Sequence, residues 1–307
     1  MFKILSVNPG STSTKFAVYE GERLICLHTK RHTSDELKPY NTLPEQSDFR
    51  KDIILQRLKE DGIDLSELSA VVGRGGLVRP LESGVYAVNE KLLYDLKYAT
   101  TGEHASNLGG IIAHEIAVEI PNCRAFIADP VVVDEMQDVA RISGLPFIPR
   151  RSQFHALNHK AVGRKYAEAH DTLYEKLNLV IAHLGGGISV AAHRQGKVVD
   201  VNQGLDGYGP FSPERAGTLD AGLLVKLCFS GNYTESEVKK MIVGNGGLMA
   251  HLGTNEVQTA TLMAEEGDEH AKIVLQALAY HVAKEIGAMF TVLKGDVDAV
   301  ILTGGIA

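Results

Sequence analysis

Apolar and polar residues alternate through FKILSVNPGSTSTKFAVYEGERLICLH, residues 2–28, with the period of two that a half-buried sheet requires. The pattern predicts a strand, a glycine turn, a returning strand, a second turn at EGER and a third strand. The same order recurs in NLVIAHLGGGISVAAHRQGKVVDVN, residues 178–202, roughly 175 residues further on. So long a repeat is no solenoid. It implies two domains of like topology facing each other, each offering a glycine-rich hairpin to a shared cleft.

Between the hairpins the period becomes helical. Phe49, Ile53, Ile54 and Leu58 form one stripe, and Leu108, Ile111, Ile112 and Ile116 another. SAVVG and RAFIAD read as strands among them, so an α/β alternation runs to about residue 150. Later, Thr234 and Glu237 in TESEVKKMIV form a capping box at a helix start. Val274, Leu278, Val282, Ile286, Met289, Phe290 and Leu293 fall on one face of a long helix over residues 268–293. The strand DAVILT then runs into a double glycine. The expected fold is α/β, with an N-terminal domain over residues 1–150, a C-terminal domain over 151–307, and the boundary near RRSQFHALN.

With 307 residues, 44% of them hydrophobic, the chain can fill two ordinary cores. Its net charge of -7 leaves no basic footprint, which argues against nucleic acid and anionic membrane as partners. Any anionic ligand must be held by local groups. Cys26, Cys123 and Cys228 are scattered and odd in number, as expected of reduced core thiols in a cytosolic protein. No signal peptide or membrane-spanning apolar run is evident, so a soluble cytoplasmic protein is expected.

NPGSTSTK, residues 8–15, places an amide, small hydroxyls, a glycine and a terminal Lys in one tight turn. Backbone N–H groups, hydroxyls and an ammonium together suit phosphate oxygens; an ordinary polar hairpin is the alternative. It is not a P-loop, because GxxxxGK[ST] is absent. AHLGGGISV, residues 182–190, is a second such turn, whose three glycines admit close backbone approach or simply form a bulge. Arg74 in GRGG and Arg215 in GPFSPERAG suit bidentate contact with a carboxylate or phosphoryl oxygen, against the commoner role of a solvated surface Arg.

Asp129 follows a strand, at the carboxyl edge where open α/β sheets bind ligands, or it starts a turn with Pro130. His155 and His159 have the i, i+4 spacing of two metal ligands, but no third ligand is evident and HExxH is absent. His155 is better placed as a donor to an anion, with His183 and His193 structural. GNGGLMAHLGT, residues 244–254, is a third glycine cluster, either a helix stop or part of a nucleotide pocket.

Taken in order, NPGSTSTK, GRGG, GEHASNLG, DPVVVDEM, RRSQFHALN, HLGGGISVAAH, GPFSPER, GNGG and LTGG resemble the acetate and butyrate kinase family, within the superfamily of actin, sugar kinases and heat-shock ATPases. The resemblance spans the chain. It is nearer to the butyrate and branched-chain fatty acid kinases than to the acetate kinases, which usually carry NAGSSSLK, HRVVHGG and HLGNG. It implies two similar domains of the actin-like, ribonuclease H-like fold. It also implies reversible conversion of ATP and butyrate to ADP and butyryl phosphate with Mg²⁺. Acetate, propionate or a branched acid is the alternative substrate, and a non-catalytic ATP clamp the alternative of another class.

By position, the resemblance puts Asn8, Ser11, Ser13 and Lys15 in the first phosphate loop, and Arg74 and Arg215 beside the transferring group. Asp129, with Asn8, falls near the metal, His155 is the transition-state donor, and His104 a further active-site residue. His183 with Gly185, Gly186 and Gly187 forms the second phosphate loop. Gly253, Thr254, Asn255, Gly304 and Gly305 fall where the family contacts adenosine, and Gly76, Phe154 and Pro210 line the acyl site. Gly76 stands where acetate kinases have Val, which is expected to deepen that site. The resemblance further implies a homo-oligomer, at least a dimer. In the family LTGG is followed by more elements, including an acidic residue near the metal; with ILTGGIA last, a chain truncated there is expected to bind ATP weakly and turn over little.

Overall fold

The computed structural model describes residues 1–307, which fall into two compact units, Met1–Val133 and Asp134–Ala307. In the first, β1 (Lys3–Pro9), β2 (Ser13–Glu20) and β3 (Arg23–Arg31) form the predicted antiparallel meander. β4 (Ala70–Arg74) lies parallel to β1, β6 (Arg124–Ala128) parallel to β4, and the short β5 (Val85–Ala87) closes the edge, in the order β3-β2-β1-β4-β6-β5. Leu5, Val7, Phe16 and Val18 point to one face, where Ile54 and Leu58 of the helix Ser47–Glu60 and Leu108, Ile112 and Ile116 of the helix Asn107–Ala117 cover them. This is alternation in the strands meeting a helical stripe, the arrangement that buries both.

In the second unit, β7 (Asn178–Leu184), β8 (Ile188–Arg194) and β9 (Lys197–Val201) repeat the meander, with β10 (Ala299–Thr303) parallel to β7. The order β10-β7-β8-β9 matches β4-β1-β2-β3, so the repeat read from the sequence is a repeat of topology. β7 is buried on both faces. Val180 and Ala182 meet Val274, Leu278 and Val282 of the helix Glu269–Val292, while Leu179 and Ile181 meet Ala167 and Tyr174. No helix is long and apolar enough to cross a membrane.

Four expectations are corrected. The division falls at Val133/Asp134 rather than 150/151. Residues 134–150 bond to the second sheet: Gln137 N–H donates to Val199 O at 3.0 Å and Arg150 to Asp200 Oδ1 at 2.7 Å. Of the cysteines, Cys228 is exposed and so no core thiol, while Cys26 and Cys123 are half-buried and pack against the first core. Phe290 turns 41% to solvent beside a buried Met289, off the apolar face of its helix. The buried face of Ser47–Glu60 carries Ser47, Arg50, Ile54 and Leu58, with a charged residue in the place the stripe gave to Phe49 and Ile53.

Candidate active site

In the first unit, β1 and β2 pair Asn8 with Lys15 and Pro9 with Thr14. Directly paired residues share a face of the sheet. Asn8, Ser13 and Lys15 therefore stand on one side of the hairpin end and Thr14 on the other. The first side is open, with Asn8, Ser11 and Lys15 exposed and Ser13 half-buried, while Thr14 is fully buried. Gly10 N–H donates to Ser13 O at 2.8 Å, closing the turn. An open turn bearing an amide, hydroxyls and an ammonium has the donors that phosphate oxygens take.

Beneath this turn lies Arg50, wholly buried. Its Nη1 donates to Gly10 O at 2.9 Å, to Ser13 O at 2.8 Å and to Thr14 Oγ1 at 3.0 Å, and its Nη2 to Ser11 O at 3.1 Å. Gln46 Oε1 receives Nε at 3.2 Å and Nη2 at 2.9 Å. Thr14 Oγ1 also bonds His32 Nε2 at 2.8 Å. Burial, then the Arg50 charge, pulls the His32 pKa down to about 4, and burial lowers that of Arg50 to about 10.

Arg74 ends β4, where the helix Asn107–Ala117 approaches so closely that a Cβ on Gly109 would lie 2.9 Å from Arg74 N. Gly73 and Gly109 allow that contact and so fix the strand end that presents the guanidinium. Burial lowers the Arg74 pKa, yet the group remains a cation at neutral pH. Asp129 follows β6 with φ 34°, a left-handed conformation costing a non-glycine residue about 1–3 kcal/mol. The surroundings hold it there: Oδ1 accepts from Ser83 Oγ at 2.6 Å and from Gly84 N–H at 2.8 Å, and Asp129 N–H donates to Gly84 O at 2.9 Å. Asp129 and Asn8 offer hard oxygens, the ligand type Mg²⁺ takes alongside water and phosphate oxygens. His104 Nδ1 bonds Ser106 Oγ at 2.8 Å.

Gly76 does not face an acyl pocket. A Cβ there would sit 2.6 Å from Asn107 Cα and 2.8 Å from Asn107 N, so its side-chain direction is filled by the start of a helix, and deepening a substrate site is not its role. Asn107 itself is buried and accepts the Leu77 N–H at 2.8 Å, which fastens the GRGG loop to that helix. Elsewhere in this unit Cys26, His28 and Asp61 bring donor atoms within 4.8 Å of one another, but His28 Nε2 and Asp61 Oδ2 are already paired at 2.5 Å.

In the second unit His155 stacks on His183, ring centroids 3.9 Å apart and 14° from parallel. His155 Nδ1 bonds Ser189 Oγ at 2.8 Å, and His183 Nδ1 bonds Asn158 Oδ1 at 2.8 Å. His159 is no partner of His155 in metal binding. It is fully buried, its Nε2 on Ser189 Oγ at 2.9 Å and its Nδ1 on His193 Nε2 at 3.2 Å, and His193 Nδ1 meets Tyr174 Oη at 2.6 Å. Burial first, then nearby cationic groups, lowers the His159 pKa to about 3 and that of His193 well below its ordinary value. His193 is structural, as expected, whereas His183 lies with His155 at the hairpin.

Gly185, Gly186 and Gly187 join β7 to β8. The Arg215 guanidinium lies across Gly187, where a Cβ would overlap it and sit 3.1 Å from Gly204 O, and Arg215 donates to that same carbonyl. Ser212 Oγ donates to Gly186 O at 2.6 Å. The third glycine cluster supports this loop from behind. Gly247, at φ 62°, packs on Ser212 and Arg215 carbonyls, Leu248 N–H donates to Ser212 O at 3.2 Å, and Arg215 bridges to Val243. Gly253, at φ 70°, caps the helix Leu248–Leu252; it and Asn255 are exposed and Thr254 half-buried. Asn255 donates to Glu214 Oε1 at 2.6 Å. The register pairs Thr303 with His183, and Gly304 at φ 103° abuts Leu184, so Gly304 and the exposed Gly305 lie beside the glycine hairpin.

Phe154 does not present itself to a substrate: it is 3% exposed and edge-on to His159. Pro210 is buried against Gly217 and lines a small pocket with Ser212 and Arg215. Sequence reasoning missed Arg50, His32, Asn107 and Ser189, which lie one layer behind the residues it named.

The chain matches known proteins over its whole length. Residues 145–307 match the model of the acetokinase family. Over 306 residues the chain is 56% identical to "Butyrate kinase 2" of Clostridium acetobutylicum, covering all of this chain and 86% of that one. The chain belongs to the acetokinase family. It is a phosphotransferase with a carboxyl group as acceptor. A "Probable butyrate kinase" of Bacteroides thetaiotaomicron is 54% identical over 305 residues, 99% of this chain and 86% of that one. Among solved structures, an acetate kinase from Porphyromonas gingivalis superposes with a TM-score of 0.79 at 22% identity, over 100% of this chain and 84% of that one. A propionate kinase from Francisella tularensis gives 0.78 at 21%, with the same coverage. Both show the fold of this chain, two α/β units built on the same four-strand order.

Proposed function

We propose that the chain catalyses reversible phosphoryl transfer between ATP and butyrate, giving ADP and butyryl phosphate. A carboxylic acid, with a pKa of about 4 to 5, is already ionised at pH 7 and needs no general base. What opposes the reaction is repulsion between two anions. Lys15 and the NPGSTSTK donors, Arg74, Arg215 and His155 are assigned to reducing it, and an Arg on the transferring phosphoryl can contribute about 10³ to 10⁵ in rate. Gly185, Gly186 and Gly187 with His183 are assigned to nucleotide phosphates, and Gly253, Thr254, Asn255, Gly304 and Gly305 to adenosine. Asp129 and Asn8 would hold Mg²⁺, which would supply charge neutralisation there. The observation that carries the transfer reading is Arg215 lying across the glycine hairpin, a cation that an ATP clamp has no need of. The names of the relatives at 54–56% identity favour butyrate as the acid.

The test is ATP-dependent formation of acyl hydroxamate from straight and branched acids of two to six carbons. Each buried CH₂ contributes about 0.8 kcal/mol, so kcat/KM for butyrate should exceed that for acetate by about fifteen-fold. A maximum at acetate or propionate would move the assignment within the family. Absence of hydroxamate with every acid would support the clamp.

A further inference from the structure

Arg50 occupies a position in the helix Ser47–Glu60 where the core calls for an apolar side chain, and it is 0% exposed. Every acceptor its guanidinium meets is neutral: the carbonyls of Gly10, Ser11 and Ser13, Thr14 Oγ1 and Gln46 Oε1. No carboxylate lies within ion-pair distance of it. A buried cation left without a counter-charge costs several kcal/mol, a cost that Leu or Met at this position would avoid. What it gains is control of one turn. Three carbonyls of GSTS are drawn down onto one planar fork, and Thr14 is drawn with them. An anion arriving from the other side therefore meets the Asn8, Ser13 and Lys15 face rather than carbonyl oxygens.

We propose that Arg50 is a positioning residue for phosphate binding at the NPGSTSTK turn: it holds the turn's carbonyls inward, and its unneutralised charge adds to the turn's attraction for a polyphosphate. This rests on the reading of that turn as a phosphate loop. Thr14 strengthens the point. Its Oγ1 accepts from Arg50 and is bonded to His32 Nε2 at 2.8 Å, and burial with the Arg50 charge keeps that ring neutral, so it adds no second cation under the turn.

Charge and scaffold can be separated, because Gln46→Glu retains both acceptor contacts to Arg50 and places a carboxylate on it. The substitution should leave the fold intact, with a thermal midpoint equal to or above that of the parent. Calorimetric titration of ATP, and of inorganic tripolyphosphate as a probe without adenosine, should show both bound about tenfold more weakly. Arg50→Met, which loses the fork as well, should weaken both by about 10²-fold, with KM for butyrate little changed. If Gln46→Glu is folded and binds both probes as the parent does, the role given to the Arg50 charge is wrong; unchanged binding by a folded Arg50→Met would remove the positioning role too. Lys15→Ala separates the two levels. If it leaves tripolyphosphate binding unchanged, the turn is not a phosphate loop and the underlying reading fails; if it weakens binding while Gln46→Glu does not, only the inference about Arg50 falls.

Discussion

The Cα of Gly187 is where the Arg215 guanidinium rests, so one methyl group decides whether that cation keeps its place. Gly187→Ala should push the guanidinium from the hairpin while leaving the strands around it paired. A displacement on the scale of 1 Å at a reacting group costs about 10²-fold, so kcat should fall by about that factor with KM for the acid nearly unchanged. Steady-state kinetics on the purified variant would check it, and a kcat within twofold of the parent would detach Arg215 from the chemistry. Gly76 shows the opposite case. Its Cβ direction runs into the Asn107 backbone, so a larger residue there perturbs a helix start rather than tuning the choice of acid.

At the scale of elements, the helix Glu235–Ile242 starts with the predicted capping box, Thr234 accepting from Glu237 N–H and Glu237 reaching back to Thr234 N–H. Its far end is the one that matters to the site, since Ala216 N–H donates to Ile242 O at 3.0 Å next to Arg215. Thr234→Ala should therefore lower stability by about 1 kcal/mol without changing the rate constants. Urea denaturation alongside kinetics tests both halves of that statement. The capping box, the two meanders and the stripe ending in Ile54 and Leu58 were legible because local propensity and burial ask for the same residues. Arg50 was not, because a single Arg among apolar neighbours on a helix has the pattern of a solvated residue, and its partners in the turn lie 36 to 40 positions away. Gly76 and Phe154 were misread for a related reason: a motif carries composition and order, but not which way a Cβ points. The unit boundary was displaced because Gln137 and Arg150 attach to the second unit by polar contacts, a backbone hydrogen bond to Val199 and an ion pair with Asp200, which leave no hydrophobic period to read.

Across the whole molecule, three buried histidines, His32, His159 and His193, are kept neutral. In the unfolded chain each would take up a proton near pH 6.5. Their folded pKa values lie lower, so below about pH 6.5 the unfolded state binds more protons and stability falls as pH is lowered towards 4; above pH 7 this contribution is constant. The loss can reach about 1.4 kcal/mol per pH unit for each of the fully buried His159 and His193. The urea midpoint should drop clearly between pH 7 and pH 5, and a level midpoint over that range would show that these rings are not held neutral.

The central claim is that a carboxylate oxygen attacks the terminal phosphorus of ATP. Butyrate labelled with ¹⁸O in both carboxyl oxygens, incubated with ATP, Mg²⁺ and the chain, tests it by ³¹P NMR of the products. Direct transfer predicts an acyl phosphate whose phosphorus carries one ¹⁸O and shows the corresponding upfield isotope shift. Unshifted inorganic phosphate, with no labelled acyl phosphate, would contradict it.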